Sequence, residues 1–141
     1  MHKKLFIPGP IDVKEEVLQK MATPMIGHRG KDASMLQKSI SEKMQKLFYT
    51  NNTILLSTSS GTGLMEGSIR SCTSKKAAVF SCGSFGDRWY KMAVANNVPA
   101  DIFKVELGEA TTPEMVDKVL STGEYDLITV THNETSTGIR N

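Results

Sequence analysis

Four short apolar runs do most to limit what this chain can fold into: Thr53 to Thr58, Ala77 to Ser81, Asp101 to Val105 and Leu127 to Thr131. Each is bounded by small or polar turn residues, which is how a buried strand reads. Between them lie helical segments, Leu64 to about Ser71 and Asp87 to Asn96. A third helix starts at Thr112-Pro113-Glu114, a cap residue followed by proline at the first helical position, and ends near Gly123. Strands alternating with helices predict an α/β fold, a mainly parallel sheet with flanking helices. Ligands of such sheets bind at the carboxyl ends of the strands. The loops leaving those ends are Ser59–Gly63, Cys82–Gly86 and His132–Gly138.

Upstream, residues 5 to 11 are rich in Pro and Gly and read as an extended arm, either an entrance strand or a frayed terminus. Asp12 is the expected cap of a first helix carrying Val17, Leu18 and Met21. A longer helix is predicted from Lys31 to Tyr49, because Leu36, Ile40, Met44, Leu47 and Phe48 form one apolar stripe. There is no internal repeat or low-complexity linker. The expected organisation is an arm and first helix over 1–30, then the first part of a larger domain over 31–141. The chain stops in a polar loop after a buried strand with no helix to cover it, so a truncated domain is expected.

Composition excludes some partners. The net charge is +2 over 141 residues, which gives no electrostatic reason to expect nucleic acid or an anionic membrane. No apolar run approaches a membrane span, and no secretory signal opens the chain. Cys72 and Cys82 lack metal-ligand spacing, so two reduced cytosolic thiols and no metal are expected. Most of the eight methionines are expected to fill gaps in the core.

The first loop, Ser59-Ser60-Gly61-Thr62-Gly63, joins a strand to a helix. Glycines let the backbone approach an anion, and free amides at a helix start attract negative charge. It reads as a phosphate cradle; the plainer alternative is a small-residue turn that binds nothing. It is not a nucleotide P-loop, since no Gly-Lys-Ser/Thr follows. Gly61, Gly63 and Gly67 nearly match a dinucleotide fingerprint, but the next strand ends Phe80-Ser81-Cys82, without the acid that holds a ribose. The second loop sets Phe85 between Gly83 and Gly86, either to stack on a planar ring or to cap the core. Trp89 and Tyr90 are expected in the core. The third loop, His132 to Gly138, is dense in donors and acceptors for a polar ring substituent, or is a plain polar turn. His132 is either a general base or a structural hydrogen-bonder. Gly27-His28-Arg29-Gly30 either reaches a substrate carboxylate or simply connects two helices.

Taken in order, Pro8-Gly9-Pro10, Ile26-Gly27-His28-Arg29, Ser60-Gly61-Thr62-Gly63, Gly83-Ser84-Phe85-Gly86-Asp87-Arg88 and His132-Asn133-Glu134-Thr135-Ser136-Thr137-Gly138 resemble the class V pyridoxal-phosphate aminotransferases, of the alanine–glyoxylate or serine–pyruvate type. The resemblance implies the large domain of an aspartate-aminotransferase-like, fold type I enzyme. It implies that Thr62, Gly63 and the amide of Leu64 hold the phosphate of pyridoxal 5'-phosphate and that Gly61 shapes the turn. Phe85 would stack on the pyridine ring and Thr135 would bond its phenolic oxygen. Gly9 would line the substrate entrance, and His28 would lie near it or near a dimer interface. A cytoplasmic homodimer acting on a small amino acid and a 2-oxo acid is implied. The family's pyridine-pairing Asp, catalytic Lys and carboxylate-binding Arg fall after the third loop, so no catalytic residue is placed in this chain. Asp126 precedes its strand and is no substitute. A lyase or desulfurase of the same fold, a nicotinamide-binding dehydrogenase domain and a non-enzymatic folding or assembly unit are the alternatives.

Overall fold

The structure is a computed structural model that describes residues 3–7 and 9–141. Pro8 of the opening motif lies outside the described residues. The chain divides into two compact units, Met1–Ser57 and Thr58–Asn141.

The first unit contains α1 (Glu15–Met21) and α2 (Lys31–Leu47). Asp12 does not cap α1. Lys14 holds the cap position without a side-chain bond, and a carboxylate oxygen of Asp12 accepts from the Leu5 amide at 3.0 Å. The predicted stripe of α2 is real in spacing but not in burial: Leu36, Leu47 and Phe48 are exposed, and neither helix has a buried residue. Residues 53–58 were expected to be a buried strand. They form no strand, and Leu55 is 87% exposed. A strand needs neighbours to take its amides and carbonyls, and no backbone partner pairs with this run among the described residues.

The second unit holds the sheet. It opens with α3 (Gly61–Cys72), followed by β1 (Ala77–Ser81), α4 (Ser84–Ala95), β2 (Ala100–Lys104), α5 (Pro113–Leu120) and β3 (Leu127–Val130). The three strands run parallel in the order β2–β1–β3. β1 is central and all five of its residues are buried, the environment in which an uncharged continuous run belongs. Ala77 faces Ala100 on one side and Leu127 on the other. Phe80 stacks on Phe103 of β2 at 5.3 Å, and Tyr125 meets the edge of Phe103 at 5.8 Å. Ile69 of α3, Ala77 of β1 and Ala93 of α4 form the buried cluster against which Trp89, Val98, Ala100 and Leu127 pack. Trp89 is thus a core residue, as expected. The methionines are not: Met21, Met25 and Met35 are exposed, and none of those described is fully buried.

The helix start at Thr112 is as predicted, its hydroxyl accepting from the Met115 amide with Pro113 in the first helical position. Asp126 has a structural task. Its carboxylate accepts the amides of Ser74, Lys75 and Lys76 at 2.8, 2.8 and 3.2 Å, tying the amino ends of β1 and β3 together. Burial alone would raise its pKa, but these backbone bonds hold it below the ordinary value. The tail after β3, expected as a loop, is a short antiparallel hairpin of β4 (Asn133–Glu134) and β5 (Ile139–Arg140). Gly138, at φ +74°, supplies the left-handed residue the return needs, and its amide donates to the Glu134 carbonyl at 2.8 Å. No described helix is long and apolar enough to cross a membrane. No group of three or more potential metal ligands occurs among the described residues.

Candidate functional site

The small-residue loop before α3 is shorter than its sequence suggests, because Gly61, Thr62 and Gly63 are already helical. Ser60 is the cap: its Oγ accepts from the Gly63 amide at 3.1 Å, and its carbonyl accepts from the Leu64 amide at 3.2 Å. The amides of Gly63 and Leu64 are therefore engaged within the helix. The amides of Gly61 and Thr62 have no acceptor among the described residues. Of the three residues that the resemblance names for the phosphate, only Thr62 has a free amide; the other free donor is the amide of Gly61, one residue ahead. Gly61 borders open space, whereas a side chain at Gly63 would collide with the Ser59 hydroxyl. Two unpaired amides at the start of a 12-residue helix make a site of positive potential.

The loop after β1 is built differently. Gly83 holds the cap position of α4 and has no side chain to cap with. Glu134, from the hairpin beyond β3, does it instead: one carboxylate oxygen accepts from the amides of Phe85 and Gly86 at 3.0 and 3.2 Å. The other accepts from the Ser136 amide and hydroxyl at 3.1 and 2.6 Å. The Ser136 Oγ in turn accepts from the Ser84 amide at 2.9 Å. Glu134 is 1% exposed. Burial would raise its pKa, but the bonds from Ser136, Gly86 and Phe85 outweigh it and hold the carboxyl below its ordinary value, so a buried charge is kept. Close approach explains the glycines here. A Cβ on Gly83 would lie 2.6 Å from Glu134, and one on Gly86 would lie 2.6 Å from the Ser81 Cα. Asp87, one turn on, bonds Lys104 at 2.9 Å and the Ser81 hydroxyl at 2.7 Å; the Lys104 bond is the main reason its pKa is lowered.

Arg88 connects the two helix starts. Its guanidinium lies over the Phe85 ring at 4.6 Å, and Nη1 donates to the Thr62 Oγ1 at 3.2 Å. The spacing of three residues puts Phe85 and Arg88 on one face of α4. Phe85 is half-buried, and the Thr135 hydroxyl is exposed with no hydrogen bond among the described residues. Thr62, Phe85 and Arg88 thus converge, and Thr135 is fixed beside α4 by its neighbours Glu134 and Ser136. Gly9 and His28 belong to the first unit. Both are exposed, and the Gly30 amide bonds the Gly27 carbonyl at 2.9 Å, the geometry of a connecting turn. The His132 side chain is exposed and makes no hydrogen bond among the described residues.

Glu134 and Arg88 stand within motifs quoted from the sequence, yet neither was assigned a role there. The signal for Glu134 was Gly83 itself, since a helix beginning at glycine needs its amides satisfied from elsewhere. Partners 49 residues apart leave no local pattern to read.

No family model matches the chain. It is 42% identical to an uncharacterized aminotransferase of Methanocaldococcus jannaschii, covering 99% of this chain and 37% of that protein. It is 30% identical to a serine–glyoxylate aminotransferase of Methylorubrum extorquens, covering 96% of this chain and 35% of the relative. Among solved structures, an alanine–glyoxylate aminotransferase of Nostoc sp. matches with a TM-score of 0.86 at 25% identity, over 99% of this chain and 40% of that one. The chain therefore spans a little over a third of the curated relatives it matches, 37% and 35% of these two. Against the dinucleotide-binding alternative, β1 ends at Ser81 without a ribose-binding acid. Sequence and fold agree that the chain belongs to the class V aminotransferases, within the fold type I architecture.

Proposed function

We propose that this chain supplies the cofactor-phosphate-binding part of a pyridoxal-phosphate-dependent aminotransferase. The reaction proposed is amine transfer from a small amino acid, such as alanine or serine, to glyoxylate or pyruvate. One observation carries the reading: the amides of Gly61 and Thr62 are unpaired at the helix start, where the Thr62 hydroxyl meets the Arg88 guanidinium that covers the Phe85 ring. The donor set fits the group. Two amides, a hydroxyl and a nearby cation suit a phosphate dianion. The half-buried Phe85 suits a planar ring, and the exposed Thr135 hydroxyl suits a phenolic oxygen.

In this reading Gly61 and Thr62 donate to the phosphate. Gly63 and Leu64 close the first turn onto Ser60 and so keep those two donors pointing outward. Phe85 fixes the ring plane, and Thr135 fixes its rotation. When bound, pyridoxal phosphate supplies the aldehyde that takes up the amine and the ring that accepts electron density from the substrate α-carbon. Gly9 and His28 remain candidates for the substrate entrance. The reading includes a cytoplasmic homodimer; the apolar side chains exposed in the first unit, Phe6 at 92% and Met25 at 97%, are of the kind a subunit interface covers.

The test is cofactor retention and turnover. The protein is loaded with pyridoxal 5'-phosphate, passed through gel filtration, and supplied in its full natural length with alanine or serine and glyoxylate. Retained cofactor and glycine formation are expected. Release of ammonia from serine without glycine formation would move the assignment to a lyase, and release of sulfur from cysteine, supplied in a separate reaction, would move it to a desulfurase. A protein that retains no cofactor would end the reading.

A further inference from the structure

We propose that Arg88 is a positioning residue that sets the Thr62 hydroxyl as a hydrogen-bond donor to the cofactor phosphate while backing one face of Phe85. This rests on the function proposed above and adds to it a residue with no role there beyond its charge. A threonine hydroxyl has one hydrogen to donate and lone pairs to accept with. Arg88 Nη1 donates to Thr62 Oγ1 at 3.2 Å, so the guanidinium fills the acceptor side of that hydroxyl. An arginine cannot accept, so the Thr62 hydrogen must point elsewhere. The nearest unmet need is the anion that the Gly61 and Thr62 amides also face. A hydroxyl that accepts from a cation is polarised and becomes the better donor.

The same guanidinium covers Phe85 at 4.6 Å. Cation–π contact with one face leaves the other for a ligand ring. Phosphate grip and ring stack are thereby connected through one side chain. Their coupling should be visible only with a ligand that has a phosphate.

The experiment measures equilibrium binding of pyridoxal 5'-phosphate and of pyridoxal to the wild-type protein, Arg88→Met, Arg88→Lys, Thr62→Val and the Arg88→Met/Thr62→Val double variant, with unfolding midpoints recorded alongside. Methionine keeps apolar cover on Phe85 but donates nothing. Arg88→Met is expected to weaken pyridoxal 5'-phosphate binding about tenfold, the value of one charge-assisted hydrogen bond, and to leave pyridoxal binding unchanged. Lysine, which still donates, should recover most of the loss. The double variant should bind no worse than Thr62→Val alone. Equal losses for both ligands, or a further tenfold loss on adding Arg88→Met to Thr62→Val, would show that Arg88 acts by folding or bulk charge and would overturn the proposal. If the wild type binds pyridoxal 5'-phosphate and Arg88→Met binds it equally well, this inference alone falls. If the wild type binds none, the proposed function falls with it.

Discussion

The two helices that start at glycine-rich turns, α3 and α4, meet the same electrostatic demand in opposite ways. Every α-helix begins with amides that lack intrahelical acceptors and carries a partial positive charge there. At α4 the chain answers from within. Ser84, Phe85 and Gly86 donate to Ser136 and Glu134, and Asp87 donates to the Gly83 carbonyl at 3.0 Å. The anion there is a buried glutamate. At α3 only Gly63 and Leu64 are served, both by Ser60, and Gly61 and Thr62 have no acceptor. Glycine content does not distinguish a structural turn from a ligand cradle. What distinguishes them is whether another part of the chain brings the negative charge.

That contrast can be broken most forcefully at Gly86. A methyl there meets backbone, the Ser81 Cα at 2.6 Å, so α4 must move off β1. Gly86→Ala should destabilise the fold by about 3 kcal/mol in urea unfolding. Gly61→Ala, facing open space, should change stability by less than about 1 kcal/mol and in the stabilising direction. Comparable losses at both would mean that the α3 start is as closed as that of α4.

Glu134→Ala comes next. It strands the Phe85, Gly86 and Ser136 donors in a buried site, and a loss of about 2 kcal/mol is expected. The wild-type contribution should depend on pH. The folded-state pKa of Glu134 lies below its ordinary value of 4.5, so its stabilisation is complete above the unfolded value and is lost as pH falls through the folded one. Unfolding curves from pH 6 to acid should therefore converge for wild type and Glu134→Ala as the pH drops. Curves that stay parallel would remove the charge from the account. Ser60→Ala removes a local cap from α3 and should cost about 1 kcal/mol, less than the loss at Glu134.

Much of the second unit was legible in the sequence because its determinants are local. The run Ala77 to Ser81 is β1 residue for residue, and Thr112-Pro113 starts α5. Of the candidate site residues, Thr62 and Phe85 were legible as neighbours of glycine-rich helix starts, and both meet Arg88. The unread half depends on partners distant along the chain. Arg88 reaches Thr62 across 26 residues and Glu134 reaches Phe85 across 49. The run at residues 53–58 failed for the converse reason. An apolar run states that it wants to be covered, but no neighbour among the described residues pairs with it. The Asp12 cap failed because a carboxylate three residues ahead of α1 found the Leu5 amide instead.

The smallest expected stability effect separates the two helix starts most sharply. Thr62→Glu places a carboxylate over the free amides of α3 and next to Arg88, which approaches Oγ1 of Thr62 at 3.2 Å. An acid in the first turn stabilises a helix by about 0.5 kcal/mol, so the fold should become slightly more stable. The same carboxylate occupies the space and charge intended for a phosphate, so retention of pyridoxal 5'-phosphate should be lost. Ser84→Glu puts an equal charge at the first position of α4, where the amides are already satisfied and the Glu134 carboxylate is close at hand. There the new charge meets a like charge instead of free donors, and stability should fall by a similar small amount. Thermal midpoints for the two variants should therefore move in opposite directions. A shift upward at both would mean that the dipole of α4 is not neutralised by Glu134. A shift downward at both would mean that α3 offers no positive field for an anion to occupy.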